Sequence, residues 1–266
     1  MPTANCWGDA TVHDYAGISA ALFRYLKLKT HAVGMKRFAS VDEMLAIPRI
    51  RRPSEKLATD QVVAQARWIG WTLGITATDL MGQQCAAVVG LVPRDREFLS
   101  GARMHGVWYG TLEDSAAHQA AMSCAPYGDY AALAVSPLTS GRLDNPDICL
   151  IYATPGQMIT LINGLQYEGY RRYSFTAVGE SACADSWGRA LASGEPCVSI
   201  PCYAERKFGG VQDDELLIAL PPSYLPKLVA GLAALDRNGL RYPIASHGIQ
   251  KSPLDSIAAS YGATTP

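Results

Sequence analysis

The chain has 266 residues, enough to bury a sizeable core as one large domain or as two closely packed halves. Its formal net charge is −1 and no basic stripe runs through it, which argues against nucleic acid as a partner, because phosphate binding calls for one. Seven scattered cysteines without a CxxC pair suit reduced thiols better than a disulfide framework or a zinc site.

No stretch approaches the ~20 apolar residues of a membrane helix, and no basic segment leads into an apolar one at the N-terminus. A soluble, cytoplasmic protein with no membrane partner is the expectation. Residues 1–13 carry Pro, Gly and Asn without a period and read as a loosely held arm. From Tyr15 on, Ile18, Leu22, Tyr25 and Leu26 recur at helical spacing and predict a first helix ending near Lys29. Residues 31–38 read as a strand. Lys36 falls in or at the end of it, where its charge needs water, an acid or a ligand. Ser40-Val41-Asp42-Glu43 has the pattern of a capping box and opens a short helix closed by Pro48.

The one basic cluster, Arg49, Arg51 and Arg52 with Lys56, is brief and reads as a solvated loop. Asp60 then serves as a cap for a helix carrying Val62, Val63, Ala66 and Ile69. Residues 71–75 form a strand, and a turn leads into a helix opened by Cys85-Ala86. The stretch 93–130 is an aromatic and polar insertion, and 112–122 within it reads as a helix. Long insertions often grip ligands. Here His105 or Tyr109 would move a proton and Trp108 would form a stacking wall, against the plainer role of anchoring the loop. His118 and His247 stand without evident partners.

Downstream the sequence echoes itself. Asp147-Ile148-Cys149-Leu150-Ile151-Tyr152-Ala153-Thr154-Pro155 runs on to Asn163-Gly164-Leu165, and Asp214-Glu215-Leu216-Leu217-Ile218-Ala219-Leu220-Pro221 runs on to Ala230-Gly231-Leu232. Each copy is an acidic start, a short apolar strand, a Pro at the strand-to-helix junction, an amphipathic helix and a closing Gly-Leu. Upstream of both, a Cys-Ala pair opens a helix, at Cys85 and at Cys183, and a strand ending in Pro follows, at 134–137 and 198–201. Residues 173–178 match the strand before the first Cys helix. The expected fold is therefore α/β: two βαββα-like units packed as one body, a mixed sheet with helices outside. The halves are 31–168 and 169–240, with an arm and helix over 1–30. The tail over 241–266 reads as a lid or as an arm docked on a neighbouring copy, which would make a homo-oligomer.

These residues resemble the uncharacterised archaeal and bacterial ArCR family, domain of unknown function 169. The likeness is carried by Val33-Gly34-Met35-Lys36, Ala64-Gln65-Ala66-Arg67 with Gly70, the Cys-Ala-x-x-x-Gly-Leu run from Cys85, and Pro146-Asp147 with the strand into Pro155. It continues through Cys183-Ala184 and Pro201-Cys202 with Arg206, and spans 33–235. The resemblance implies a fold more than a function. It also implies a further cysteine near the start of the helix before Arg67, where this chain has Asp60-Gln61-Val62, and that departure weakens an iron–sulfur reading.

Chemistry is best placed at the pair of Cys helices. A thiol in a helix's first turn lies at the positive end of the dipole, which favours thiolate, and a pseudo-twofold would bring Cys85 and Cys183 face to face across a shared groove. Packing of small residues is the plain alternative. Glu180 would sit at the N-terminus of the second Cys helix as a cap or a substrate contact. Arg206, in a loop with Lys207, Gly209 and Gly210, offers a bidentate grip on a carboxylate. Cys197 and Cys202 are separated by an odd number and point to opposite faces of a regular strand. No dinucleotide, P-loop or nucleophile-elbow signature is present.

The expectation is an enzyme acting on a small carboxylate-bearing, aromatic or apolar molecule between the halves. Lys36 and Arg206 would hold the anion, Trp108 and Glu180 would contact the substrate, and Cys85 or Cys183 would be the nucleophile. No cofactor or metal is called for, so cofactor-free lyase chemistry such as decarboxylation is the reading. The alternatives are a non-catalytic sensor or carrier, and an iron–sulfur or haem protein.

Overall fold

The computed structural model describes residues 14–245. The arm over 1–13 and most of the tail, His247 included, lie outside the described residues. Six strands form one sheet: β1 (Val33–Phe38), β2 (Leu73–Thr76), β3 (Ala132–Pro137), β4 (Ile148–Ala153), β5 (Cys197–Ser199) and β6 (Leu216–Leu220), in the order β2-β3-β1-β4-β6-β5. The α/β class is as expected, and every pair of these strands is antiparallel, where the sequence pointed to a mixed sheet.

Alternation along the central strands separates two cores. Ile148, Leu150 and Tyr152 of β4, with Leu217 and Ala219 of β6, face one side, while Cys149, Ile151 and Ala153, with Ile218 and Leu220, face the other. Helices cover both sides. On the second face lie α1 (Tyr15–Leu26), α7 (Pro155–Gln166) and α10 (Leu225–Arg237), contributing Leu22, Leu26, Leu161, Leu165, Leu228 and Leu232. The apolar face of the first helix packs into this core, as its helical spacing implied. Pro155 stands at the first position of α7, as the sequence signalled, and Thr154 caps the helix in a capping box with Gln157. The Gln157 amide also donates to the carbonyls of Leu26 and Lys27, tying the start of α7 to the end of α1.

The echoed Gly-Leu pairs meet where α7 crosses α10. A Cβ on Gly231 would lie 2.0 Å from the Gly164 carbonyl oxygen, so the two backbones touch because residue 231 is glycine, while a Cβ on Gly164 would meet only the Leu232 and Leu228 side chains, at 3.0 and 3.1 Å. The strand order is symmetric, with β1, β2 and β3 mirrored by β4, β5 and β6. That register differs from the one in the sequence echo, because β5 and β6 are neighbours whereas β1 separates β3 from β4. Residues 173–178 form no strand. They run exposed, and the Asp185 carboxylate takes up the Val178 N–H at 2.6 Å.

The first face carries α3 (Thr59–Ala64), which continues as a π-helical turn (Gln65–Ile69), α4 (Gln84–Val88), a second π-helical turn (Ala184–Gly188) running into α8 (Arg189–Ser193), and α9 (Tyr203–Gly209). Between them and the sheet sits a buried ion pair, Arg67 to Glu215 at 2.6 Å, with the guanidinium 3.8 Å from the Tyr152 ring centroid. Such a pair orients its elements strongly because losing one partner strands a buried charge.

Replacing Gly231 with Ala is expected to destabilise the fold by about 2 kcal/mol, since α10 must move off α7. Urea denaturation of the variant measures this, and an unchanged midpoint would show that the crossing is looser than described.

Candidate functional site

A cleft of about 730 Å³ opens on the first face between the insertion and the two Cys helices. Its floor is Asp60 of α3, Cys85 of α4, Ser181 and Cys202, and its walls include Met104, Trp108, Tyr203 and Phe208. The insertion lines one side of this cleft through Arg103, Met104, Val107 and Trp108. It is held there by α5 (Arg96–Leu99) and α6 (Leu112–Ala121), with Asp95 and Thr111 capping them and the Ser115 hydroxyl donating to the Gly101 carbonyl. Trp108 stands edge-on to Tyr203, ring centroids 5.3 Å apart.

The two thiols meet at the floor. Cys85 Sγ lies 3.1 Å from Cys183 Sγ across 98 residues of sequence, and 3.5 and 3.6 Å from the two Asp60 carboxylate oxygens. Cys85 reaches the cleft, while Cys183 lies behind it and is fully buried. Two features aim Cys183. Ser181 adopts a left-handed φ of 62°, which turns the chain before it. After it the π-helical turn carries Trp187 into the core and Gly188 against the Ser123 carbonyl, where a Cβ would lie at 1.9 Å. π-helical turns favour functional sites, and the other one here follows the helix that bears Asp60.

The electrostatics overturn the expected thiolate. α4 has only five residues, too few for a strong dipole, and the Cys85 thiol is pushed well above its ordinary value by its contact with Cys183, by burial and by Asp60. For Cys183 the hydrogen bond from Cys85 acts downward, but burial with the charges of Asp60 and Glu205 prevails and leaves it at about 12. Both shifts act against thiolate formation.

Two buried acids accompany them. Burial pushes Asp60 up to about 6, against the downward pull of its Cys85 hydrogen bond. Burial, and then the charge of Asp60, push Glu205 up to about 8. Glu205 Oε2 accepts the Cys202 N–H at 3.0 Å, while Oε1 is buried without a partner. Among the described residues, no three His, Cys, Asp or Glu side chains are disposed to hold a metal ion.

Of the residues singled out by sequence, Cys85, Trp108 and Glu180 line the cleft and Cys183 backs it. Glu180 does not cap the second Cys helix. Its carboxylate accepts the N–H groups of Tyr203 and Ala204 at the start of α9. Lys36 lies elsewhere, within β1, donating to the Asp144 carbonyl at 2.5 Å. Arg206 is in α9 and not in a loop, and its guanidinium is spent on the Gln212 carbonyl. His105 and Tyr109 are bridged to each other within the insertion and do not line the cleft. Tyr109 packs on His118, at 5.0 Å between centroids, and His118 is far from partnerless: its Nε2 meets the Glu180 carbonyl at 2.7 Å.

Sequence reasoning missed Asp60, Glu205, Arg103 and Lys207. For Asp60 a signal existed, since it stands where the family resemblance implied a cysteine. It was read as a cap, yet Ala58 is the N-cap and Asp60 is buried inside α3.

The raised Glu205 acid makes the folded state lose stability as pH rises from the unfolded value near 4.5 through about 8, because the folded chain holds the proton longer. Glu205→Gln should abolish that loss. By urea denaturation the variant is expected to gain on the wild type by on the order of a few kcal/mol between pH 5 and pH 9. A pH-independent difference would show that Glu205 titrates normally.

A family model for the uncharacterised ArCR proteins, domain of unknown function 169, matches residues 21–231. An uncharacterised protein of Methanocaldococcus jannaschii is 25% identical over 88 residues, covering 33% of this chain and 38% of that protein. The match thus spans well under half of the relative's length. No solved structure matches. The match over 21–231 takes in both Cys helices, the sheet and the insertion, and the chain belongs to the ArCR family.

Proposed function

We propose that the protein is an enzyme acting on a small molecule with an apolar or aromatic body and an anionic group, bound in the cleft over Cys85. The observation that carries this reading is the composition of the cleft: aromatic and Met walls, the cations Arg103 and Lys207 beside the acids Asp60 and Glu180, and the Cys85 thiol on the floor against Asp60. Its volume of about 730 Å³ falls within the range of small-molecule sites.

Lys207 and Arg103 take the anion-holding role that the sequence gave to Lys36 and Arg206. Lys207 Nζ lies 5.8 and 5.5 Å from the Tyr203 and Phe208 ring centroids, and it makes no ion pair with a described residue. Arg103 is steadied by Glu97 at 2.8 Å. Trp108 and Tyr203 flank the body of the ligand, and Asp60 exchanges a proton with Cys85, the reacting group. A lyase that worked through Lys36, His105 and Tyr109 finds none of them in the cleft, so thiol chemistry is favoured over decarboxylation.

A panel of aryl carboxylates and their neutral alcohols tests the binding half by thermal shift. Carboxylates should stabilise the protein, by about 2.7 kcal/mol at a hundredfold excess over Kd, and alcohols much less. Lys207→Ala should weaken carboxylate binding about tenfold. Equal shifts from acids and alcohols, or none from either, would refute it.

A further inference from the structure

We propose that Cys85 and Cys183 form a redox-active dithiol, which reduces small disulfides bearing acidic groups that enter the cleft and is itself regenerated by small thiols. The inference rests on the cleft being a ligand site and names the chemistry and substrate class of that site.

The sulfurs are 3.1 Å apart, about 1 Å more than a disulfide bond, so oxidation needs only a small approach of α4 and the chain at Cys183. Exposure divides their roles. Cys85 lies on the cleft floor and is the sulfur a substrate can reach, whereas Cys183 is fully buried behind it and can reach only Cys85. A two-base mechanism, with a substrate carbon held between two thiols, is excluded by the same distance, since no atom fits between them. Asp60, with both carboxylate oxygens within 3.6 Å of Cys85 Sγ, is positioned to take its proton. That acceptor is what a protonated, buried thiol needs before it can attack.

The steps balance as follows. Asp60 accepts the Cys85 proton as the sulfur attacks R–S–S–R′. The substrate's S–S bond breaks, R′S⁻ leaves, and it is protonated by Asp60. Cys183 then gives up its proton and attacks the Cys85 sulfur of the mixed disulfide. RS⁻ departs, takes that proton, and a Cys85–Cys183 bond remains. Two protein thiols are oxidised by two electrons, and one substrate disulfide is reduced to RSH and R′SH. Two molecules of a small thiol, themselves oxidised to a disulfide, reverse the sequence. Lys207 and Arg103 at the cleft favour disulfides that carry carboxylates.

The test exposes the full chain to glutathione disulfide, quenches by alkylation and maps the cysteines by peptide mass spectrometry, with Cys124 as an internal control for general opening. In the wild type, Cys85 and Cys183 should be recovered joined, and excess glutathione should separate them. Cys183→Ser should instead trap glutathione on Cys85. Cys85→Ser should leave Cys183 unmodified. Asp60→Asn should slow modification of Cys85 at least about tenfold while leaving Cys124 unchanged. The proposal is overturned if wild-type Cys85 remains as a mixed disulfide beside reduced Cys183, or if Cys85 reacts no faster than Cys124.

Two further measurements keep the two readings apart. If the Cys85→Ser, Cys183→Ser double variant binds aryl carboxylates while the wild type shows no exchange, the cleft stands and the dithiol falls. If hydroxyethyl disulfide, which is uncharged, reacts as fast as glutathione disulfide, the acidic substrate class falls.

Discussion

The close approach at Gly188 is the contact on which the site depends. The π-helical turn lies so near the Ser123 carbonyl that no side chain fits between them, and this contact seats Trp187 in the core. Trp187 is the largest fully buried side chain in the described residues and joins the cluster that contains Val88, Cys183 and Ala184. Val88 belongs to α4, three residues beyond Cys85. One tightly packed junction therefore fixes both thiol-bearing segments, and their separation is set by packing and not by any bond between them.

Charge under the first face is handled in two ways. Arg67 is fully buried but has Glu215 at 2.6 Å and the face of Tyr152 beneath it, so its charge is compensated. Asp60 and Glu205 lie on α3 and α9, which pack together, and no cation pairs with either among the ion pairs of the described residues. Burial is then relieved by holding protons, which is why both acids titrate high. The buried Arg67 guanidinium is committed to the frame. That leaves the acids at the thiols free to give and take protons near neutrality, a property suited to chemistry and not to stability.

Much of the architecture follows from local pattern. The apolar runs at 148–153 and 216–220 are central strands, Ser40 caps a short helix and Pro155 opens α7 where expected, and the insertion's helix begins after Thr111. These signals are short-range and need only the residues next to them. The matched Cys-Ala pairs also drew attention to the two thiols that touch. Residues 173–178 form no strand: Tyr173 and Val178 pack against the cores on opposite faces of the sheet, and the Asp185 carboxylate takes the Val178 N–H that a ladder would have used.

The sequence by itself determined the α/β class, the central strands and most helix starts, because hydrophobic period and capping chemistry act within a few residues, and its matched Cys-Ala pairs pointed to the two cysteines. Only the tertiary structure decided the ionic character of the site. Asp60, Glu205 and Lys207 sit in short helices where local pattern treats a charge as solvated, and whether each is buried, protonated or left facing the cleft depends on which distant segment packs over it. The same holds for Lys36 and Arg206, whose apparent freedom along the chain ends at the carbonyls of Asp144 and Gln212.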